Sequence, residues 1–345
     1  MRICYFGTYN PEEGRNKIYM TGLRRLGVTI VECRTDKKGL AKYFDLIKKH
    51  SKIKNDYDAL VVGYPGHALV PLAGLISRKK VIFDALCTMY EGVIISRKQF
   101  SEWSLNSMYI KMIDWLAVKF SDFVLVETEH QKDFFEKRFG KSRKYIVVYT
   151  GSDDSIFHTD DGIRKRDEFT AVFRGKFLPE AGVAHIIDSA KILEKSGIRF
   201  IVLGSGYLEK EIRAHIASSG ASNIELVSRF LSYDEMREIM LSAHVSLGQF
   251  EDHPRLSRTI PHKCFETLAL GLPYVTARTI GVLEILSDGE SAIFVSPADP
   301  ADLAEKISKL KNDPELAKRI GEAGYRIYKQ KFTPEALAKQ IIALV

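Results

Sequence analysis

One glutamate lies about a turn inside an apolar helical pattern in the stretch TIPHKCFETLALGLPYVTA, residues 259–277. Pro261 suits the first turn of a helix, where its missing N–H costs nothing. The free amides of such a turn, with the positive end of the helix dipole, make an anion site. His262 and Lys263 add cationic character there. Glu266 follows one turn later, placed to accept two hydrogen bonds from a sugar diol. The plainer reading is a glutamate that favours the dipole, worth under about 1 kcal/mol. Gly271 and Pro273 then stop the helix and a strand begins. Upstream, FRGKFLPEAGV sets Arg174, Gly175 and Lys176 just past a strand. Two cations and a glycine suit a phosphate, with charge from the side chains and close backbone approach at Gly175. A basic strand exit is the alternative. In LGSGYLEKE, Gly204 and Gly206 allow close approach of a ligand to the backbone, although such turns are common.

The elements that must hold these residues alternate between short apolar runs and helical patterns. RICYFGT, VTIVECR, YDALVVGYP, KKVIFDALC, DFVLVET and KYIVVYTGSD read as strands with helices between them, the fourth helical region spanning 96–120. The pattern restarts at FTAVFRGKF and runs to SAIFVSP, followed by amphipathic helices and a last helix after Pro334. Such alternation predicts parallel sheets covered by helices on both faces. The polar stretch GSDDSIFHTDDG marks a hinge between two doubly wound α/β units. The expected domains are 1–156, with the C-terminal helix at about 333–345 packing back on it, and 157–332. Ligands in open α/β sheets bind beyond the carboxyl ends of the strands, which implies a cleft between the units.

Composition bounds the function classes. The 345 residues are 45% hydrophobic, ordinary for a globular protein. No run of about 18 apolar residues predicts a membrane span, and MRICYFGTYNPEEGR lacks the pattern of a signal peptide. Cys4, Cys33, Cys87 and Cys264 are scattered, without a zinc or disulfide pattern, which fits a reducing cytoplasm. The net charge of +7 is uneven. Residues 1–150 hold 26 Lys and Arg against 16 Asp and Glu, a balance of +10, and the remainder balances at −3. A basic N-terminal half suits an anionic partner such as acidic lipid headgroups or a phosphorylated acceptor. The basic residues are not interleaved with aromatics in a stacking pattern, so no nucleic acid is expected. Trp103, Tyr109, Met112 and Trp115 read first as packing residues. With Lys98, Lys111 and Lys119 beside them, the alternative is a region lying on a membrane surface.

The stretch HKCFETLALGLPYVTARTIGVLEILSDGESAIFVSPADPADLAEKI resembles the C-terminal signature of GT-B glycosyltransferases, specifically the retaining glycosyltransferase family 4 (glycosyl transferases group 1). VFRGKFLPEAGVAHIIDSAKIL resembles that family's strand-glycine-cation-helix element, and VYTGSDDSIFH its linker. The likeness runs from about residue 145 to the end and is looser before that. It implies a GT-B architecture of two Rossmann-like domains. It implies that Glu266 binds ribose hydroxyls, that Lys176 contacts the diphosphate, and that amides from Thr259 to Lys263 hold the distal phosphate and sugar. Phe230 and Leu231 would border the base.

Two positions depart from the family. A second glutamate common eight residues before the first is Arg258 here, and a second diphosphate cation is replaced by Ala181, leaving Arg174 or Lys263 to supply that charge. In the N-terminal half, Asp84 stands where the family often has a histidine near the reaction centre, as polar machinery or as a helix cap. Gly7, Arg15 and Asn16 stand in a loop that approaches the acceptor and donor phosphates. His67 is a further candidate, or a satisfied loop histidine.

The resemblance therefore implies a metal-independent retaining transferase with no bound cofactor. It would move a sugar from a UDP- or GDP-sugar to a hydroxyl of a glycan or lipid-linked acceptor. Catalysis would rest on Asp84, Lys176 and Glu266, with the domains closing to exclude water. The expected location is cytoplasmic, peripheral on the inner face of the membrane. A nucleotide-sugar epimerase of the same architecture and a non-catalytic ligand-binding protein are the alternatives.

Overall fold

A computed structural model describes residues 1–12 and 14–345. The chain divides into two compact units, Met1–Gly151 with Thr333–Val345, and Ser152–Phe332.

The first unit alternates strand and helix: β1 (Arg2–Gly7), α1 (Gly14–Arg25), β2 (Thr29–Arg34), α2 (Ala41–Ser51), β3 (Ala59–Val62), α3 (Val70–Ile76), β4 (Lys80–Leu86), α4 (Leu105–Lys119), β5 (Phe123–Val126), α5 (Glu129–Phe139) and β6 (Tyr145–Val147). The strands form one parallel sheet in the order β2-β1-β3-β4-β5-β6. Successive side chains of a strand point to opposite faces. Thus Cys4 and Phe6 of β1 join Leu46, Ala73, Ala117 and Phe135 in one core layer. Ile3 and Tyr5 join Ile18, Leu23, Leu337 and Ile341 in the other. A sheet covered on both faces explains why its inner strands read as continuous apolar runs.

The second unit repeats the scheme: β7 (Phe169–Arg174), α6 (Val183–Ile192), β8 (Ile198–Leu203), α7 (Glu209–Ser219), β9 (Ile224–Val227), α8 (Tyr233–Ser242), β10 (Val245–Leu247), α9 (His262–Ala269), β11 (Tyr274–Ala277), α10 (Ile280–Leu283), β12 (Ile293–Val295), α11 (Pro300–Asn312) and α12 (Pro314–Lys331). Its parallel sheet has the order β12-β11-β10-β7-β8-β9. A final helix, α13 (Pro334–Ile342), belongs to the first unit and packs on α1. The approach is close, because a Cβ on Gly22 would stand 1.9 Å from the Pro334 carbonyl oxygen.

Three expectations are corrected. The helical region at 96–120 is not continuous. A π-helical turn covers Glu91–Ser96 and α4 starts only at Leu105, where the Ser104 hydroxyl accepts the Ser107 amide and caps it. Pro261 is the residue before α9 rather than inside its first turn, with extended backbone at φ −60° and ψ 139°. Trp103, Tyr109, Met112 and Trp115 do not pack in the core. Trp103 is 90% exposed and Trp115 47%. Helical spacing alone could not separate an inner from an outer stripe, because α4 carries both.

Candidate functional site

The second unit gathers its polar machinery at the carboxyl ends of β7 and β8 and the start of α9. Arg174 is the last residue of β7, paired in register with Leu203 of β8. The loops that follow these strands meet at two glycines. A Cβ on Gly204 would lie 1.9 Å from the Gly175 carbonyl oxygen, and Gly204 has φ +151°. Only glycine accepts both the contact and the backbone angle.

The Arg174 Nη1 donates to both carboxylate oxygens of Glu266, at 2.6 and 2.5 Å. Its guanidinium also lies 5.5 Å from the centre of the Phe157 ring, and its Nε donates to the Met236 sulfur at 3.2 Å. Glu266 is buried within α9, whose side chains from Lys263 to Ala269 are all buried. The carboxylate is therefore aimed and held rather than left to solvent.

Lys263 completes the cluster. Its Nζ lies 4.3 Å from the centre of the Phe173 ring and 2.8 Å from where a Cβ on Gly175 would stand. Burial, reinforced by Arg174, pushes this ammonium down to about 7, while Glu266 and Glu180 act the other way. No ion pair to a described residue neutralises it. A cation held in this way, beside a glycine, suits an anionic ligand that brings its own charge.

The other candidates fall around this centre. Lys176 is exposed, one residue past Gly175. Thr259 is buried, its hydroxyl donating to the Arg255 carbonyl at 3.0 Å. Pro261 is half-buried and His262 exposed at the N-terminus of α9, whose first amides have no acceptor inside the helix. Phe230 is 94% exposed and Leu231 half-buried, in the loop before α8. Arg258 lies in the turn that leads to Thr259, and Ala181 is buried in the core.

The first unit gathers a second polar cluster, also at strand ends. The Arg15 Nε donates to the Asp84 Oδ1 at 2.8 Å, and the two residues are 3% and 0% exposed. Arg15 Nη1 reaches the Thr150 hydroxyl at 3.4 Å, and that hydroxyl donates to Glu127 at 2.8 Å. Burial disfavours the Arg15 cation, but Asp84, Tyr19 and Glu127 outweigh it and hold the group above its ordinary value. Burial pushes the Asp84 carboxyl up, opposed by Arg15. In this arrangement Asp84 holds Arg15, and the Asp84 Oδ2 and Arg15 Nη2 have no hydrogen-bond partner among the described residues.

Asn16 accepts from the Tyr5 hydroxyl at 3.4 Å and donates to the Tyr64 carbonyl at 2.6 Å. Gly7 ends β1 with φ +138°. His67 is buried, its Nε2 2.8 Å from the Cys87 carbonyl oxygen and its ring 4.9 Å from the centre of Phe83. Burial pushes His67 down, opposed by Asp114, the Cys87 carbonyl and Asp84. The ring is packed and donates from Nε2, while its buried Nδ1 has no hydrogen-bond partner among the described residues, so His67 is only half satisfied.

Sequence reading missed Glu127 and Thr150 on this cluster, and Phe157 and Met236 around Arg174. For Glu127 a signal existed, the same one that singled out Asp84: a carboxylate at the end of a buried strand. Among the described residues, no three His, Cys, Asp or Glu side chains are grouped to hold a metal ion. None of the described helices is long and apolar enough to cross a membrane.

The chain is similar to known proteins in sequence and in fold. Residues 157–327 match the family profile of the glycosyl transferases group 1. An uncharacterized glycosyltransferase of Methanocaldococcus jannaschii is 29% identical over 215 residues, 62% of this chain and 56% of that one. A 2-deoxystreptamine N-acetyl-D-glucosaminyltransferase of Niallia circulans is 23% identical over 279 residues, 77% of this chain and 70% of that one. The matches thus span from somewhat over half to about 70% of these relatives' length. Among solved structures, Anabaena HepE in complex with UDP and glucose superposes with a TM-score of 0.76 at 16% identity, over 100% of this chain and 99% of that one. Residues 157–327 are thus similar in sequence to the glycosyl transferases group 1, and the two-sheet fold is similar over the whole chain to that of GT-B glycosyltransferases.

Proposed function

We propose that the chain is a retaining glycosyltransferase of family 4 that moves a sugar from a UDP- or GDP-sugar to a hydroxyl of a glycan or lipid-linked acceptor, without a metal. The observation that carries this reading is the Arg174–Glu266 pair with Lys263 beside Gly175, at strand ends inside the matched region. UDP and glucose in the complex of the HepE neighbour support a nucleotide-sugar donor. The relatives that carry a named activity are transferases, which disfavours the epimerase and the binding-protein alternatives.

Glu266 holds the ribose diol, and Arg174 orients Glu266. Lys263, Lys176 and the backbone amides at the start of α9 take the diphosphate, since the Thr259 amide already donates to the Arg255 carbonyl at 3.1 Å and Pro261 has no N–H. Phe230 and Leu231 border the base. The bond from the anomeric carbon to the diphosphate oxygen breaks, and the acceptor oxygen bonds that carbon on the same face. The acceptor's proton passes to the leaving phosphate. Cations positioned on the developing diphosphate charge stabilise the transition state without a metal. In the first unit, Arg15 and Asn16, which lie in the first turn of α1 rather than in a loop, form the acceptor side with Gly7 and His67, and Asp84 sets the position of Arg15. The basic charge of residues 1–150 supports a peripheral contact with an anionic membrane.

The test is thermal stabilisation by UDP- and GDP-sugars in EDTA, with slow sugar release followed alongside. Stabilisation by one nucleotide, lost in Glu266→Ala, supports the reading and names the base. Absence of any Glu266-dependent stabilisation sinks it.

A further inference from the structure

The helix α4 is apolar on two sides. Ile110, Ile113, Ala117 and Val118 face inward and are buried. Leu105, Met108, Tyr109, Met112 and Trp115 form a second stripe at helical spacing, all exposed, and Trp103 stands exposed just before the helix. Exposed apolar side chains grouped in this way mark an interaction surface.

Helix α2 also carries exposed apolar groups, Phe44 and Ile47. Both helices contribute to the same core layer, through Leu46 and Ala117. Both helices also pack on α3, so their outer faces look away from the same side of the sheet.

Charge selects the partner. Within α4 the one carboxylate is Asp114, buried and accepting the amides of Met89 and Tyr90 at 2.9 and 3.0 Å. The outer face therefore presents apolar groups with Lys119, stacked 4.7 Å from the centre of the Trp115 ring, while Lys111 is half-buried at its edge, 4.9 Å from the centre of the Tyr90 ring. Arg97 and Lys98 are exposed upstream. On α2, Asp45 is taken by Lys37 and Lys49 at 2.9 Å each, which leaves Lys42 and Lys48 beside Phe44. A symmetric contact with a second copy would set these cations against their own equivalents. An anionic bilayer accepts both features, with Trp and Tyr at headgroup depth and lysines reaching the phosphates.

We infer that the outer face of α4 with α2 seats the protein on an anionic lipid surface. This deepens the membrane element of the proposed function and rests on it, and it is independent of the transfer chemistry. The contact would present the first unit to an acceptor anchored in the same bilayer.

The experiment is co-sedimentation of the full chain with vesicles of pure phosphatidylcholine, and with vesicles of roughly one part phosphatidylglycerol to two parts phosphatidylcholine. The protein should bind the anionic vesicles and be released by salt. A variant with Trp103→Ser, Met108→Ser and Met112→Ser removes exposed groups only, so its circular dichroism and its melting shift with nucleotide-sugar should match the native chain. Its vesicle binding should fall at least about tenfold. Lys42→Glu with Lys48→Glu and Lys119→Glu should lower binding by a similar factor. Absence of binding, equal binding to both vesicle types, or native-like binding by the triple serine variant overturns the inference. So does a native dimer in sedimentation that this variant dissociates. Nucleotide-sugar stabilisation that persists while vesicle binding is absent removes this inference alone. Vesicle binding without nucleotide stabilisation removes the donor reading alone.

Discussion

The ammonium of Lys263 stands 2.8 Å from where the Cβ of any residue replacing Gly175 would be. A lysine from the start of α9 thus occupies the space left by a glycine at the end of β7. Gly175→Ala should displace the Lys263 tip. That tip is flexible, so the loss of folding stability should stay within about 1 kcal/mol. Affinity for the nucleotide-sugar should fall by about tenfold, equivalent to about 1.4 kcal/mol. Calorimetric titration beside a thermal melt checks both. An unchanged affinity would remove Lys263 from the diphosphate site.

The ionisation of Lys263 gives a pH signature. Burial lowers the folded group from 10.5 to about 7, so between these values the unfolded chain binds more protons than the folded one. Stability from this group therefore rises with pH across that window, and the cost of the buried charge is fully present below about 7. An anionic ligand favours the protonated form. Nucleoside diphosphate affinity should then decline as pH rises above about 7, with proton uptake on binding near that pH. Lys263→Met should lower the affinity and flatten both dependences. Titrations in buffers of different ionisation enthalpy read the proton uptake directly.

Phe230 offers its ring to solvent in the loop before α8. Phe230→Ala should leave the melting temperature almost unchanged, because nothing is packed beneath the ring. If the ring borders the base, nucleotide affinity should weaken by about 1 kcal/mol or more through lost stacking. Equal affinity of the native and variant chains for UDP and GDP would place the base elsewhere.

Arg15 and Asp84 are buried together in the first unit. Asp84→Ala leaves an uncompensated buried guanidinium and should cost about 3–5 kcal/mol of stability. Arg15→Met combined with Asp84→Ala should recover part of that loss. Denaturant melts of the four members of this cycle measure the coupling. A small loss in Asp84→Ala would mean that Glu127 and Thr150 hold Arg15 without Asp84.

Much of this protein follows from local pattern. Alternating apolar runs and helical stretches imply two parallel sheets, because a strand buried on both faces reads as continuous apolar sequence, as in ALVV of β3. Arg174 and Gly175 stand out in the sequence by their types at a strand end, and Glu266 as a carboxylate one turn into an apolar helix. What these residues do to one another was not. Glu266 and Arg174 lie on different elements, and their ion pair exists only because β7 and the start of α9 end at the same edge of the sheet. Lys263 read as one more cation, and its depressed ionisation arises from burial against Phe173. Glu127 and Thr150 were invisible as partners of Arg15 for the same reason. On α4 the sequence shows apolar residues all round and cannot say which stripe meets the core. Spacing along a chain determines which face a side chain shares with its neighbours. Which faces meet is decided by how the layers pack, since only packing removes water from one stripe and leaves it on the other.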